Sequence, residues 1–443
     1  MGARSRLQSI AAMAAIRFSR WRGDPLAALL TGAGYDDPYP IYVRMRPDPL
    51  HKSRLGVYAT ADHATAAAVL RDGRFSSSPS HRPGYRPPGG GEAGHGGEPD
   101  GLSDEEALLG PETSLLTMDP PDHTRIRRLV ASAFTRRATD ALEQFVRETA
   151  AELLDRVDVH AGFDLVDSVA FPLPIAVICH LLGVPAVDRD RFRAWGHDVA
   201  MSLEPRLTDQ LDPALAKSER ALTSYLRELI AERRREPDGT LLSALVAAEE
   251  EGDRLDEAEL VSTALLLLVA GFETTVNLLA NGTAALIAAP ALWSQLREEP
   301  HRWPDAVEEL LRFDSPVQMT SRIATDDLEL AGVTLPRGSA VLVSIGGANR
   351  DPAVFADPDR LVLGRPDRNH HLSFSLGIHH CLGAALARLE AKVAFEELAA
   401  RMVQPVPAGP AVRRRLVVMR GFDSLPVRTL APGERAEVGA AGR

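Results

Sequence analysis

The sequence predicts a mainly α-helical fold with small antiparallel β-sheets, arranged as a single large domain of 443 residues. Three observations predict it. Helical patterning runs through most of 119–299. After Pro316 the chain changes to short β-rich runs, VQMTSRIA, LELAGVTL and SAVLVSI, divided by Ala-Gly and Pro-Arg-Gly turns. A last helix is expected over about 382–402, and 412–430 reads as a terminal hairpin.

The elements follow in order. RLGVYAT at 54–60 reads as a strand, and Asp62 caps a helix through Leu70. Residues 76–114 are rich in Gly, Pro and Ser and lack apolar periodicity. They read as a flexible loop or insertion, either a lid ordered by a ligand or an uninvolved segment. Asp188–Met201 and Ala214–Arg235 read as two helices joined by a Pro-containing loop, and Thr240–Glu251 as a third. A long apolar helix is expected over about 255–288, and Pro304 begins another through Phe313.

Composition narrows the function. With 50 basic and 61 acidic residues the net charge is −11, which disfavours nucleic acid and anionic membranes as partners. Two cysteines, Cys179 and Cys381, fit a reducing cytoplasm, and Cys179 lies in an apolar stretch that suits a core thiol. The apolar run Ile10–Ile16 is too short for a signal peptide or a membrane span. The longer run Leu260–Ala289 holds Glu273, Thr274, Thr275, Asn277 and Asn281, which points to a buried helix with a chemical task. A cytoplasmic monomer is expected.

The segment Phe374-Ser375-Leu376-Gly377-Ile378-His379-His380-Cys381-Leu382-Gly383 is the most informative. A thiolate that ligates iron needs deprotonation, a helix start and donors that temper its charge. Cys381 opens a helix, so its sulfur can accept backbone N–H groups and feel the positive end of the dipole. Gly377 permits a tight turn, Gly383 lets a flat macrocycle approach the backbone, and Phe374 can shield the sulfur from water. The plainer reading of one cysteine at a helix start is a buried core thiol. A zinc site from His379, His380 and Cys381 is disfavoured, because adjacent residues rarely chelate one tetrahedral ion.

The segment matches Phe-x-x-Gly-x-His-x-Cys-x-Gly at every fixed position. It thereby resembles the cytochrome P450 family, specifically its soluble bacterial members, over about residues 54–430. The resemblance implies the cytochrome P450 fold, haem b (iron protoporphyrin IX) and Cys381 as axial iron ligand.

A second motif, Ala270-Gly271-Phe272-Glu273-Thr274-Thr275, lies within the long helix. Small residues at Ala270 and Gly271 would let the helix run close over the haem and leave room for O2. Thr274 can hydrogen-bond the reacting oxygen, and Glu273 can relay protons inward from solvent. This is similar to the family's Ala/Gly-Gly-x-Asp/Glu-Thr motif. The alternative is that Thr274 bonds back to its own helix and Glu273 is a paired or solvated charge.

Further residues take family positions. Glu309 and Arg312 stand at i and i+3 and are assigned to structure, with Arg360 as a third member of the set. His123 and Arg127 stand at i and i+4 in a segment similar to the family's His-x-x-x-Arg clamp. With Arg322 and His379 they would bind the haem propionates. Arg125 and Arg128 are expected to face outward, where they could meet an acidic electron donor.

Leu266, Ala270, Val317, Met319 and Phe422 are candidates for an apolar substrate pocket. The sequence shows no flavin or nicotinamide module, so electrons from NAD(P)H are expected through a ferredoxin and ferredoxin reductase. The reaction expected is an O2-dependent hydroxylation or epoxidation of a hydrophobic small molecule, such as a secondary metabolite. Oxidative coupling, desaturation and non-catalytic haem binding remain as alternatives. Substrate and regiochemistry are not legible.

Overall fold

Asp256 fixes the start of the longest helix, Glu257–Ile287. Its side chain accepts the Glu259 amide at 2.7 Å, and the Glu259 carboxylate accepts the Asp256 amide at 3.0 Å. This reciprocal cap satisfies two donors that a helix start leaves open. At 1.5 Å per residue the helix spans about 46 Å. Its 31 residues are long and apolar enough to cross a membrane, yet most of that length is buried inside the fold. Leu260, Val261, Leu265, Val276 and Ala280 are shielded on all sides. Each large side chain so buried contributes about 1.5–3 kcal/mol, against the entropy of fixing it. Pro172–Leu182, Arg189–Ala200, Pro213–Arg235, Trp303–Phe313 and Ala384–Arg401 pack around this axis. The computed structural model describes residues 13–85, 114–201, 204, 213–250, 255–431 and 434.

The expected helices fall within a residue or two of their predicted bounds. Asp62 caps His63–Arg71 by accepting the Thr65 amide at 2.7 Å. Pro304 lies in the first turn of Trp303–Phe313, and Leu241–Glu250 and Pro213–Arg235 form as expected. The final helix begins at Ala384, with Gly383 as its cap, so Cys381 stands three residues ahead of it. Of the 76–114 segment, the described part holds the strand Phe75–Ser76 and a short turn at Pro79–His81. The Gly/Pro-rich stretch itself, 86–113, lies outside the described residues.

One sheet has the order His51–Lys52, Tyr58–Thr60, Ala340–Ser344, Met319–Ala324, Phe75–Ser76. Among the described residues all strand pairings are antiparallel except Tyr58–Thr60 with Ala340–Ser344, which are parallel. Arg322 sits opposite Val341 in this sheet. The Ala-Gly turn joins Leu328–Leu330 to Val333–Leu335, with φ of +50° at Ala331 and +76° at Gly332. Two positive φ angles match the twist of a two-residue hairpin.

The terminal stretch differs from the expected single hairpin. Val412–Arg413 pairs with Phe422–Ser424, whereas Pro426–Thr429 pairs with Pro405–Pro407 and Phe163–Asp164. A register shift falls within the first pairing, between Val412 and Arg413, and Pro426 offers no amide to continue it. A π-helical stretch at Val166–Ala170 was also not legible. Pro172 and Pro174 follow it and withdraw two amide donors, so the ladder before them changes pitch.

Candidate active site

The cysteine loop is built by its backbone. The Cys381 amide donates to the Phe374 carbonyl at 2.8 Å, and the His380 amide to that of Gly377 at 3.1 Å. Gly377 has φ +68°, and a Cβ there would fall 2.5 Å from the Leu70 carbonyl oxygen, so only glycine fits. Ser375 also takes a positive φ, +58°. Asn349 ties the loop to the helix behind it. Its Oδ1 accepts the Leu372 amide at 2.6 Å, and its Nδ2 donates to Ser373 Oγ, which donates to the Leu311 carbonyl.

Cys381 is set within the body of the fold but keeps an exposed face. Burial pushes its thiol up from the usual value, while the Gly383 amide and the guanidinium groups of Arg127 and Arg388 pull it down. Phe374 is buried beside it, as expected. Arg388 lies 4.3 Å over the Phe374 ring and is held by Glu308 at 2.6 Å, which also meets His371 at 3.0 Å. Glu308 and Arg388 had no signal in the sequence, because their pairing spans 80 positions.

Glu309 and Arg312 form the expected pair, with two contacts of 2.8 Å, both buried. Arg312 also donates to the carbonyls of Asn349, Pro358 and Arg360. The third member is a correction: it is Arg365, 3.2 Å from Glu309 and buried. Arg360 contributes only its carbonyl; its side chain is exposed and turned to Asp357. A buried carboxylate recruits the cation that can be buried with it, and the chain path, not the spacing, decides which that is.

The four predicted basic residues converge. His123 and His379 lie with ring centroids 4.4 Å apart. Burial first, then Arg322, His123 and Arg127, pushes His379 down to about 3. Burial likewise lowers Arg322 to about 10, against a nearby Asp119. Arg127 donates to the His380 carbonyl, and Arg322 to Ser321 O and Thr320 Oγ1. Nε2 of His123 and of His379 are buried without a hydrogen-bond partner among the described residues. A cluster this cationic, with orphaned donors, suits a ligand carrying two carboxylates. Arg125 is a correction. It does not face outward but binds Glu259 at 3.1 Å and Asp122 at 3.2 Å, fastening Asp122–Ala131 to the cap of the long helix.

Across the site runs the long helix. Leu266 and Thr274 are half-buried and Ala270 exposed, at i, i+8 and i+4 of a mostly buried helix. They form one accessible stripe. Gly271 lies elsewhere: a Cβ there would meet Ile178 at 3.2 Å, so its smallness serves packing on Pro172–Leu182. Gly383 is the reverse case, since a Cβ there would meet nothing within 4 Å, and the backbone is open to a flat group. Thr274 donates to the Ala270 carbonyl at 3.0 Å, leaving its lone pairs to the accessible side. Glu273 does not face solvent. It is 1% exposed and ion-paired with Arg414.

Two pocket candidates are core. Met319 packs with Leu26, Tyr39 and Tyr42, and Phe422 lies in the main core under Arg413, 3.9 Å from its ring. Strand alternation puts Met319 on the face opposite Arg322, while Val317, half-buried and bridged to Met419, lies just before the strand.

Fold and site together define a class: a helical protein with a cysteine loop and, against it, a cluster of two arginines and two histidines. The cytochrome P450 family model matches residues 104–401. The vitamin D(3) 25-hydroxylase of Pseudonocardia autotrophica is 39% identical, over 91% of this chain and 96% of its own length. The 6-deoxyerythronolide B hydroxylase of Saccharopolyspora erythraea is 42% identical over 71% and 78%. The crystal structure of ligand-free CYP164A2 from Mycobacterium smegmatis superposes with a TM-score of 0.81 at 38% identity, covering 91% of this chain and 99% of that one. The chain belongs to the cytochrome P450 family, a family of haem-dependent oxidoreductases.

Proposed function

We propose that this protein is a haem-thiolate monooxygenase that hydroxylates or epoxidises a hydrophobic small molecule. The observation that carries the reading is the pairing of a cysteine loop, open at Gly383, with two orphaned histidine nitrogens and two arginines in one cluster. Cys381 would ligate the iron, and His123, Arg127, Arg322 and His379 would take the propionates. Bound there, haem supplies the site that binds and activates dioxygen.

The chain's own groups do the rest. Phe374, with Arg388 over its ring, would shield the sulfur side from water. Ala270 leaves space beside the reacting centre, and Leu266 and Val317 offer apolar walls to the substrate. Thr274, whose hydroxyl proton rests on the Ala270 carbonyl, offers its oxygen to the accessible side and would turn to donate there, and Glu273, next to it, is the acid that can renew its proton. Electrons would come from NAD(P)H through a ferredoxin and its reductase, in the cytoplasm. The hydroxylation named for the S. erythraea relative supports a secondary-metabolite substrate.

The reduced protein should give a thiolate-type carbon monoxide difference spectrum, lost in Cys381→Ala. A preparation that takes up no haem would sink the reading. Thr274→Ala should uncouple NADPH consumption from product and release peroxide; unchanged coupling would remove Thr274 from the mechanism. A spin-shift screen of apolar compounds would then find the substrate.

A further inference from the structure

The first described helix, residues 13–21, carries a surface of its own. Its buried side is Ile16 and Ser19. On the other side Phe18 is 57% exposed and Trp21 76%. They stand at i and i+3, with ring centroids 5.8 Å apart. Ala14, four residues before Phe18, is exposed on the same stripe. Apolar side chains scattered singly on a surface are ordinary, but two adjacent aromatics make a patch. Arg17 lies four residues before Trp21 and Arg22 four after Phe18, so an exposed guanidinium flanks the stripe on each side. Residues 1–23 hold five arginines, and all 61 acidic residues of the chain lie from Asp24 onward. In the sequence Leu7 and Ile10, outside the described residues, precede Ala14 by seven and four, the spacing of that same stripe. The helix is fastened to the body of the protein. Gly23 ends it at φ +85°, with the Gly23 amide on the Arg20 carbonyl at 2.9 Å and the Asp24 amide on that of Ser19 at 3.1 Å. Asp24 then caps Pro25–Leu30 and accepts from Ser53 Oγ at 2.8 Å.

We propose that this helix docks the protein on an anionic phospholipid surface, lying in its plane with Phe18 and Trp21 in the headgroup layer and Arg17 and Arg22 on lipid phosphates. Aromatic side chains on one face, rimmed by arginines, are the composition that suits a membrane interface. The arginine stems cover apolar surface while their charged ends reach outward. A protein partner fits this face less well. Nine residues make a helix about 14 Å long, and its outer side alone falls well short of the roughly 800 Å² that each partner gives to a stable protein interface. A lipid surface demands no complementary shape. The net charge of −11 disfavours the molecule as a whole on such a surface. The local reversal of sign lets one edge approach, and the acidic remainder is held off within a screening length of about 8 Å. The contact is peripheral and reversible, since so small an apolar patch gives only marginal binding. It is independent of the monooxygenase reading.

The test mixes the full chain with vesicles of phosphatidylcholine, alone or with equal parts phosphatidylglycerol. Wild type should sediment with the mixed vesicles at low salt and stay in solution with phosphatidylcholine alone. At about 1 M salt, where the screening length is about 3 Å, binding should be lost. Trp21 emission should move to the blue on binding, whereas Trp293 and Trp303 are already buried and should contribute no shift. Arg17→Gln/Arg22→Gln should weaken binding about 25-fold, at about fivefold for each arginine. Phe18→Ser/Trp21→Ser should weaken it at least about tenfold, and Trp21→Phe should keep most of it. Every change is at an exposed position, so melting temperatures should stay at the wild-type value.

No excess of binding to the mixed vesicles would overturn the proposal, and so would undiminished binding in Phe18→Ser/Trp21→Ser. Sedimentation without a shift in Trp21 emission would show that another part of the chain meets the lipid. Binding of polyglutamate that needs the arginines but not the aromatics, with none to vesicles, would assign the helix to an acidic protein instead.

Discussion

Glu390, on the helix that follows the cysteine loop, is a carboxyl group buried at 1% exposure, and its Oε2 has no hydrogen-bond partner among the described residues. Burial alone pushes it up to about 8. In the unfolded chain a glutamate ionises near pH 4.3. Between these values the folded protein holds a proton that the unfolded chain has lost. Stability is therefore full below about pH 4 and declines as pH rises, until about pH 8. Glu390→Gln keeps the shape and cannot ionise. It should match wild type below about pH 4 and exceed it at pH 8 by a margin on the order of a few kcal/mol. Urea unfolding at both pH values measures this, and an equal difference at both would show that the carboxyl is not held neutral. Met319 offers a second case. As a core side chain it should lose about 2–5 kcal/mol on Met319→Ala, with substrate-induced spectral shifts unchanged. A weakened shift at unchanged stability would return it to the pocket.

At the scale of elements, the cysteine loop is a backbone device. Its hydrogen bonds, Cys381 to Phe374 and His380 to Gly377, need the left-handed turn at Gly377, where the chain passes against the Leu70 carbonyl. Gly377→Ala meets both a strained φ and a 2.5 Å clash. It should cost more than about 1 kcal/mol and shift or abolish the thiolate-type spectrum; a full spectrum at unchanged melting temperature would show that the loop tolerates a side chain. This element was legible because its chemistry is local: every fixed residue lies within ten positions. The long helix was legible through its apolar length, although its cap at Asp256 was not read from the sequence. Arg365 and Arg414 were not. Each meets its acid over a large separation, 56 positions for Arg365 and 141 for Arg414, and no periodicity encodes such a pairing. Arg125 and Arg360 show the converse: charges that could have faced outward or inward, sorted only by what lay opposite.

At the scale of the whole molecule, the cationic cluster comes from three separate parts of the chain: the helix Asp122–Ala131, the strand Met319–Ala324 and the cysteine loop. Burying such groups is unfavourable without an anion: burial is the first cause of the lowered values of His379, Arg322 and His123, and neighbouring guanidinium groups add to it at the two histidines. Haem added to apoprotein should therefore raise the melting temperature through binding to the folded state alone. In Arg127→Ala/Arg322→Ala the gain should shrink, since hydrogen bonds to charged groups are worth about 1.5–3 kcal/mol each. Calorimetry with and without haem measures it, and an equal gain would exclude these arginines from holding the cofactor.

The sequence by itself determined the fold class, the order of the helices and strands, and the residues of the cysteine loop and acid–alcohol helix, because caps, turns and periodicity act over a few residues. The tertiary structure alone decided that Glu273 answers to Arg414 rather than to solvent, that Gly271 packs on Ile178, that Met319 and Phe422 are core, and that Arg365 completes the Glu309 cluster. The reason is physical. Burying a charge requires a partner at contact distance, and contact between distant segments is fixed by how whole elements pack, which no local pattern records.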